Sequence, residues 1–382
     1  MGPSIYLDYN ATTPVAPRVL EKMLPFFTQH YGNPSSDGHP YGWSASAAVG
    51  HARKQVAAAL GAQRPADIVF TSGASESINT VIKGIARSRA RQGRGHIITV
   101  QTEHKATLNS CKAMERFGVR VTYLLVDTNG LIDLDELVSA LAEDTILVCV
   151  MWANNETGVL QPIQEISALV RERGILFMTD ATQAVGKLPV TVKDVDVLAC
   201  SAHKLYGPKG VGALYIRERI RLPALIDGGG QERNCRSGTL NVPGIVGLGE
   251  AIALACGVDQ TKEAERLETL RDDFEQTLHD ALPGIRFNGA CVPRLPNTSN
   301  VTFPKPEGRE LSGFMLSGLA ISSGSACASG ISGVSHVLHA MGVTPSEAKR
   351  TVRISLGHPT TAEEMRRATE IMIDAVRPLS LK

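Results

Sequence analysis

Several residues of this chain combine a reactive side chain with a position where it could be used. Lys204 follows the mostly apolar run Val195–Ala202 and precedes a loop broken by Gly207, Pro208, Gly210 and Gly212. The run reads as a buried strand and the loop as a turn. A lysine is ordinarily a solvated surface charge. One at the end of a buried strand is partly desolvated, which lowers its pKa and makes the amine a usable nucleophile. Lys209 is its rival; inside the turn, it reads as the exposed one. Asp180, in Phe177-Met-Thr-Asp-Ala-Thr-Gln183, stands just past another apolar strand, where open α/β sheets place their ligands. A helix cap is the other reading of that carboxylate. Gln183 lies three residues on and could share the site.

The stretch Thr71-Ser-Gly-Ala-Ser-Glu-Ser-Ile-Asn79 follows a strand and opens a helix. Free N–H groups and hydroxyls there suit a phosphate, although for this stretch alone an ordinary helix capped by Ser72 or Ser75 is the plainer reading. It is not a Walker A loop, for no Gly-Lys-Ser/Thr follows. Asn154-Asn-Glu-Thr-Gly158 and His104, in Gln101-Thr-Glu-His-Lys105, also come directly after strands. A polar turn and a structural histidine are the plain alternatives.

The elements that must position these residues alternate. Strands are expected at 68–70, 96–100, 119–126, 146–151, 175–179, 195–202 and 213–216. Helices are expected at 14–30, 44–60, 75–91, 107–117, 133–142 and 162–173. Apolar strands alternating with amphipathic helices signal a mainly parallel sheet covered on both faces. Residues 5–13 read as an extended arm. After about residue 258 a long charged helix (261–281) introduces short strands at 285–287, 299–303 and 351–355, and helices at 309–318, 335–341 and 361–376. The expectation is a large α/β domain over 15–258, and a smaller α+β domain built from 1–14 and 259–382. Ser75, His104, Asn155, Asp180 and Lys204 then follow successive strands of one sheet, whose ends converge on one crevice. A phosphate cradle, a buried carboxylate and a desolvated lysine are what pyridoxal phosphate requires.

On these motifs the sequence resembles the NifS/IscS type of cysteine desulfurase, within the fold-type I, aminotransferase class V group of pyridoxal phosphate enzymes. The resemblance runs from Tyr6-Leu-Asp-Tyr-Asn-Ala-Thr-Thr-Pro14 to Val352-Arg-Ile-Ser-Leu-Gly357. Its most specific pieces are Asn154–Gly158, Ser201-Ala-His-Lys204 with Gly207–Gly210, Arg236-Ser-Gly-Thr239, and Ser322-Ser-Gly-Ser-Ala-Cys327. It implies a seven-stranded, mainly parallel sheet and a homodimer. It implies that Lys204 carries the cofactor, that Asp180 pairs with the ring nitrogen and that Gln183 bonds the ring hydroxyl. His104 would stack on the ring and move protons. Ser75, Ser201 and His203 would hold the phosphate, with Thr239 reaching in from the other subunit, and Ala74 and Asn155 would also contact the cofactor. Asn155 and Arg353 would bind the substrate carboxylate. Family members commonly have threonine where this chain has Ser75, and the hydroxyl is kept.

Cys327 would name the reaction. Its surroundings, Ser322–Val334, are too rich in Gly and Ser to pack well, so the thiol reads as exposed on a mobile loop. Cys149, Cys200 and Cys256 read as buried and inert. The long Cys327–His336 segment resembles the branch that hands sulfur to protein partners. The expected reaction turns L-cysteine into L-alanine and leaves a persulfide on Cys327. The sulfur would serve iron–sulfur cluster assembly, tRNA thiolation or DNA sulfur modification. A selenocysteine lyase, or a scaffold without catalysis, is the alternative reading.

Composition narrows the setting. The chain has 382 residues and a formal net charge of +1, so it offers no electrostatic argument for nucleic acid or membrane binding. Seven scattered cysteines without CxxC spacing argue against a disulfide framework and a four-cysteine zinc site. No metal is expected. No apolar run reaches about 18 residues and the N-terminus lacks a signal pattern, so a cytoplasmic protein is expected.

Overall fold

The computed structural model describes residues 4–90, 95–257, 259–304, 318–323 and 334–376. Cys327 and most of the helix expected at 309–318 lie outside the described residues. In chain order the strands are β1 (Ile5–Tyr6), β2 (Ile68–Thr71), β3 (His96–Val100), β4 (Arg120–Leu124), β5 (Thr145–Cys149), β6 (Leu176–Asp180), β7 (Val197–Ser201) and β8 (Gly212–Ile216). They continue with β9 (Arg286–Phe287), β10 (Thr298–Thr302), β11 (Leu319–Ala320), β12 (Ser322–Ser323) and β13 (Thr351–Ser355).

Strands β2 to β8 form a seven-stranded sheet in the order β2-β8-β7-β6-β5-β3-β4. Only β8 runs against its neighbours; the other pairings are parallel. The carboxyl ends of β2, β3, β5, β6 and β7 therefore share one edge. Apolar residues alternate between two cores, one on each face. Ile98, Val148, Phe177, Leu198 and Ala213 belong to one. Ile97, Leu147, Met178, Val197 and Leu214 belong to the other. Each large aliphatic side chain so buried contributes roughly 1.5–3 kcal/mol of transfer free energy, and burial on both faces explains why the strands read as continuous apolar runs.

The helices are α1 (Pro17–Met23), α2 (Pro25–Thr28), α3 (Pro40–Ala59), α4 (Ala74–Ala90), α5 (Lys105–Glu115), α6 (Leu134–Ala140), α7 (Ile163–Arg171), α8 (Val242–Ala255), α9 (Gln260–Ala281), α10 (His336–Ala340), α11 (Pro345–Ala348) and α12 (Ala362–Val376). The single helix expected over 14–30 is broken into α1 and α2 at Pro25, which has no N–H to continue the ladder. Helix α8 was not among the expected helices; its sequence carries Pro243, Gly244, Gly247 and Gly249, all poor helix formers. Asn241 Oδ1 caps it by accepting from Gly244 N at 3.1 Å. Its glycines permit close packing: a Cβ on Gly249 would meet Ala52 Cα of α3 at 2.7 Å.

A second, antiparallel sheet has the order β12-β13-β10-β9. With α9 and α12 it encloses a core of Leu7, Phe274, Val301, Phe303, Ile354 and Met372. The arm expected over 5–13 is more than an arm. Its β1 pairs in parallel with β11, and Leu7 is fully buried. Among the described residues no single helix is long and apolar enough to cross a membrane.

Candidate active site

A cavity of about 640 Å³ opens at the shared edge of the large sheet. It gathers Ala74, Ser75, His104, Asn155, Asp180, Gln183, Ser201, His203, Lys204 and Arg353. Thr239 is exposed and lies outside that wall. Sequence reasoning missed Asn10, Ala11, Thr12, Ser322 and His336, which also line the cavity. Ser322 and His336 bracket, in sequence, the segment that contains Cys327.

Lys204 ends a short 3-10 turn (Ala202–Lys204) directly after β7. Its Nζ donates to Asn10 O and Ala11 O, each at 2.6 Å. Lys209 is exposed, as expected. Asn10 is a hub only 1% exposed. Its carbonyl also accepts from Gln183 Nε2 at 2.9 Å, and its N–H donates to Ser355 Oγ at 2.9 Å. Its Nδ2 donates to Thr298 Oγ1 at 2.8 Å, and its Oδ1 accepts from Asn297 Nδ2 at 3.2 Å. The turn that holds Asn10 and Ala11 thus braces both Lys204 and Gln183.

Asp180, the last residue of β6, is buried, and its Oδ1 accepts from Thr182 N at 3.0 Å. A turn rather than a helix follows, so the carboxylate is not a helix cap. Helix α4 begins at Ala74, and its cap comes from another strand: Ser201 Oγ accepts from Ala74 N at 2.7 Å. Neither Ser72 nor Ser75 provides it. Among the described residues no protein group bonds the Ser75 hydroxyl, which stays exposed to the cavity. Glu76, in the first turn, is neutralised by Arg236 at 2.9 Å. That pairing keeps its charge from opposing an anion at the helix end.

His104 caps α5, its Nδ1 accepting from Ala106 N at 3.1 Å. In the neutral ring the proton therefore sits on Nε2. Burial lowers its pKa; Asp180 opposes this, and Lys204 and His336 add to it. His203 pairs through Nδ1 with Thr12 Oγ1 at 3.2 Å and is pushed down to about 4 by burial, then by Lys204, Lys209 and Lys187. His336 Nε2 donates to Glu103 O at 2.9 Å. Fully buried Glu103 is pushed up to about 8 by desolvation.

An unpaired Arg353 charge on the buried strand β13 would be costly. The structure gives it a partner: Nη2 donates to Asp8 Oδ1 at 2.6 Å and to Ser322 Oγ at 2.8 Å, while Nη1 donates to Asn155 O at 2.9 Å. Asn155 thus meets Arg353 through its carbonyl. Nε is buried with no partner among the described residues. Apart from the buried Nε–H, one Nη1 N–H is left for a ligand.

The donor set suits pyridoxal phosphate on physical grounds. An amine, a buried carboxylate and a helix N-terminus capped from outside face one cavity. On its wall the Thr182 Oγ1 is buried without a partner among the described residues. Gly73 and Gly212 press together where β8 meets the α4 turn; a Cβ on Gly212 would lie 2.7 Å from Gly73 Cα. Residues 5–367 match the description Aminotransferase class-V. The chain belongs to the class-V aminotransferase family. Enzymes of this family generally depend on pyridoxal phosphate. The class-V chain is 48% identical over 379 residues to the cysteine desulfurase IscS of Anaeromyxobacter sp. (strain Fw109-5), covering 98% of this chain and 93% of that one. Among solved structures it is similar to a NifS-like protein, with TM-score 0.89, 39% identity and 97% and 98% of the two chains covered. It is also similar to SspA in complex with cysteine, with TM-score 0.82, 40% identity and 92% and 99% covered.

Proposed function

We propose that this chain is a pyridoxal phosphate-dependent cysteine desulfurase that works as a homodimer. It converts L-cysteine to L-alanine and hands the sulfur, held as a persulfide on Cys327, to an acceptor protein. The convergence of Lys204, Asp180 and the Ser201-capped end of α4 on one cavity carries the reading. Near-full-length similarity to desulfurases supports it.

Bound there, the cofactor would supply an electron sink for the substrate's Cα. Ala74, Ser75, Ser201 and His203 would hold its phosphate, with Thr239 serving the site of a second copy. Asp180 would keep the ring nitrogen protonated and Gln183 would bond the ring hydroxyl. Arg353 and Asn155 would orient the substrate carboxylate. The Lys204 amine takes the proton from Cα and returns a proton to the product, with His104 Nε2–H as a second proton carrier. The Cys327 thiolate attacks the substrate sulfur. An S–S bond forms, the Cβ–S bond breaks, and the electron pair left on carbon takes a proton to give alanine. Residues 15–258 would hold the cofactor, and 1–14 with 259–382 would form the smaller domain carrying Cys327.

Cys327→Ser tests the assignment. The variant should bind cofactor and change its absorbance when L-cysteine is added, yet release almost no alanine or sulfide. In the unaltered protein, L-cysteine without reductant should add one sulfur atom to the Cys327 peptide by mass spectrometry. Extra sulfur on another cysteine, or full activity in the serine variant, overturns the role of Cys327.

A further inference from the structure

Lys187 is absent from the cavity wall and has no part in the chemistry above. It nevertheless controls a residue that does. Its Nζ donates to Gln183 Oε1 at 2.9 Å and to Gln183 O at 3.1 Å. The other end of the same amide, Nε2, donates to Asn10 O at 2.9 Å. Gln183 is 4% exposed. Exchanging its amide O and N would set NH2 against an ammonium and a carbonyl oxygen against the Asn10 carbonyl. The Asn10 contact would then be repulsive in any state and the Lys187 contact whenever the amine is charged, so the amide has one favoured orientation. Burial, and after it the charges of Lys204 and Arg353, push the Lys187 amine down to about 7. Charged or neutral, the amine faces two carbonyl oxygens and donates to both. One Nε2 hydrogen serves Asn10; the other is left for the cavity.

We propose that Lys187 is a positioning residue that locks the Gln183 amide with its NH2 toward the cavity, so that Gln183 offers the cofactor's ring hydroxyl oxygen a donor and never an acceptor. The inference rests on the proposed role of the cavity. It concerns how the ring is gripped rather than the reaction.

The test is equilibrium binding to the intact apoprotein of two ligands: pyridoxal phosphate and its analogue lacking the ring hydroxyl. The unaltered protein should prefer pyridoxal phosphate by on the order of 3- to 10-fold, the worth of one oriented neutral hydrogen bond. Lys187→Met should lose that preference by weakening pyridoxal phosphate alone, with binding of the analogue unchanged within about twofold. In a Gln183→Leu background, Lys187→Met should change neither ligand further. Lys187→Gln, too short to reach the amide, should behave as the methionine variant and replaces it should that one fail to fold. An equal loss for both ligands marks a merely structural lysine and overturns the proposal, as does full preference retained in the variants or absent from the unaltered protein. If the unaltered protein binds neither ligand, the reading of the cavity itself fails, a separate result.

Discussion

Arg353 Nη2 meets Asp8 Oδ1 at 2.6 Å, joining β13 to the N-terminal segment across 345 positions of sequence. The pair holds the guanidinium at the cavity wall with one Nη1 N–H still to offer. Arg353→Ala should raise the KM for L-cysteine by roughly 10- to 100-fold, the loss of one charge-assisted contact of about 1.5–3 kcal/mol. Cofactor binding should persist. Arg353→Lys should not restore affinity, since one ammonium cannot serve Asp8, Ser322, Asn155 and a ligand together. An unchanged KM in the alanine variant would remove Arg353 from substrate binding.

Lys204→Ala should leave the fold intact and abolish both turnover and the yellow colour that pyridoxal phosphate gives with the unaltered protein. Borohydride reduction of the unaltered protein followed by peptide mapping should find the pyridoxyl group on Lys204. Finding it on the exposed Lys209 instead would reverse the assignment.

Gly212→Ala should be destabilising, because its Cβ would fall 2.6 Å from Cys200 O and 2.7 Å from Gly73 Cα. Both neighbours are backbone and cannot swing aside, so a loss of about 1–3 kcal/mol is expected, with weaker cofactor binding through the displaced α4 turn. Gly50→Ala is the counterpart. It lies inside α3 with nothing within 4 Å of its added Cβ, and should stabilise by up to about 1 kcal/mol. Thermal midpoints moving in the same direction for both variants would contradict this packing.

His96 should make the protein sensitive to acid. Its ring bonds Thr145 Oγ1 at 2.8 Å and Thr122 Oγ1 at 2.9 Å. Burial first, then Arg120, push it down from 6.5 to about 4. The folded ring stays neutral where the unfolded one takes a proton. Stability is therefore complete above pH ~6.5 and falls as the pH drops toward ~4, by at most roughly 3 kcal/mol from this residue. His203 adds to the same window. His96→Gln should flatten the acid limb of a stability-versus-pH curve; a limb of unchanged slope would assign the acid loss to other groups.

What the sequence made legible is tied to periodicity and side-chain chemistry. The β-α alternation could be read because the strands other than the edge strand β4 are largely apolar on both faces, and that alternation brought Lys204, Asp180 and Ser201 to one edge. The long-range capping of α4 by Ser201 could not be read, since local cap signals pointed to Ser72 and Ser75. Helix α8 was hidden by glycines whose use is close packing, Gly249 on α3 and Gly247 against Met23 and Pro208. Asn10 escaped notice because it grips Lys204 and Gln183 through its carbonyl, which every residue possesses. His336 escaped because a lone histidine beside a Gly/Ser-rich stretch carries no spacing signal.

The Asn10 hub has a consequence for the order in which the protein is made. Residue 10 leaves the ribosome among the first, but its partners Asn297, Thr298 and Ser355 are synthesised near the end. Until they emerge, the carbonyl that braces Lys204 lacks these three anchors and is held to the large sheet through neighbours such as Thr12 and Thr13, which meet His203. Cofactor capture should therefore be a late event, coupled to release of the finished chain and slowed by the long loop it must close. A nascent chain halted before residue 355 should hold its lysine and aspartate in place and still bind pyridoxal phosphate poorly.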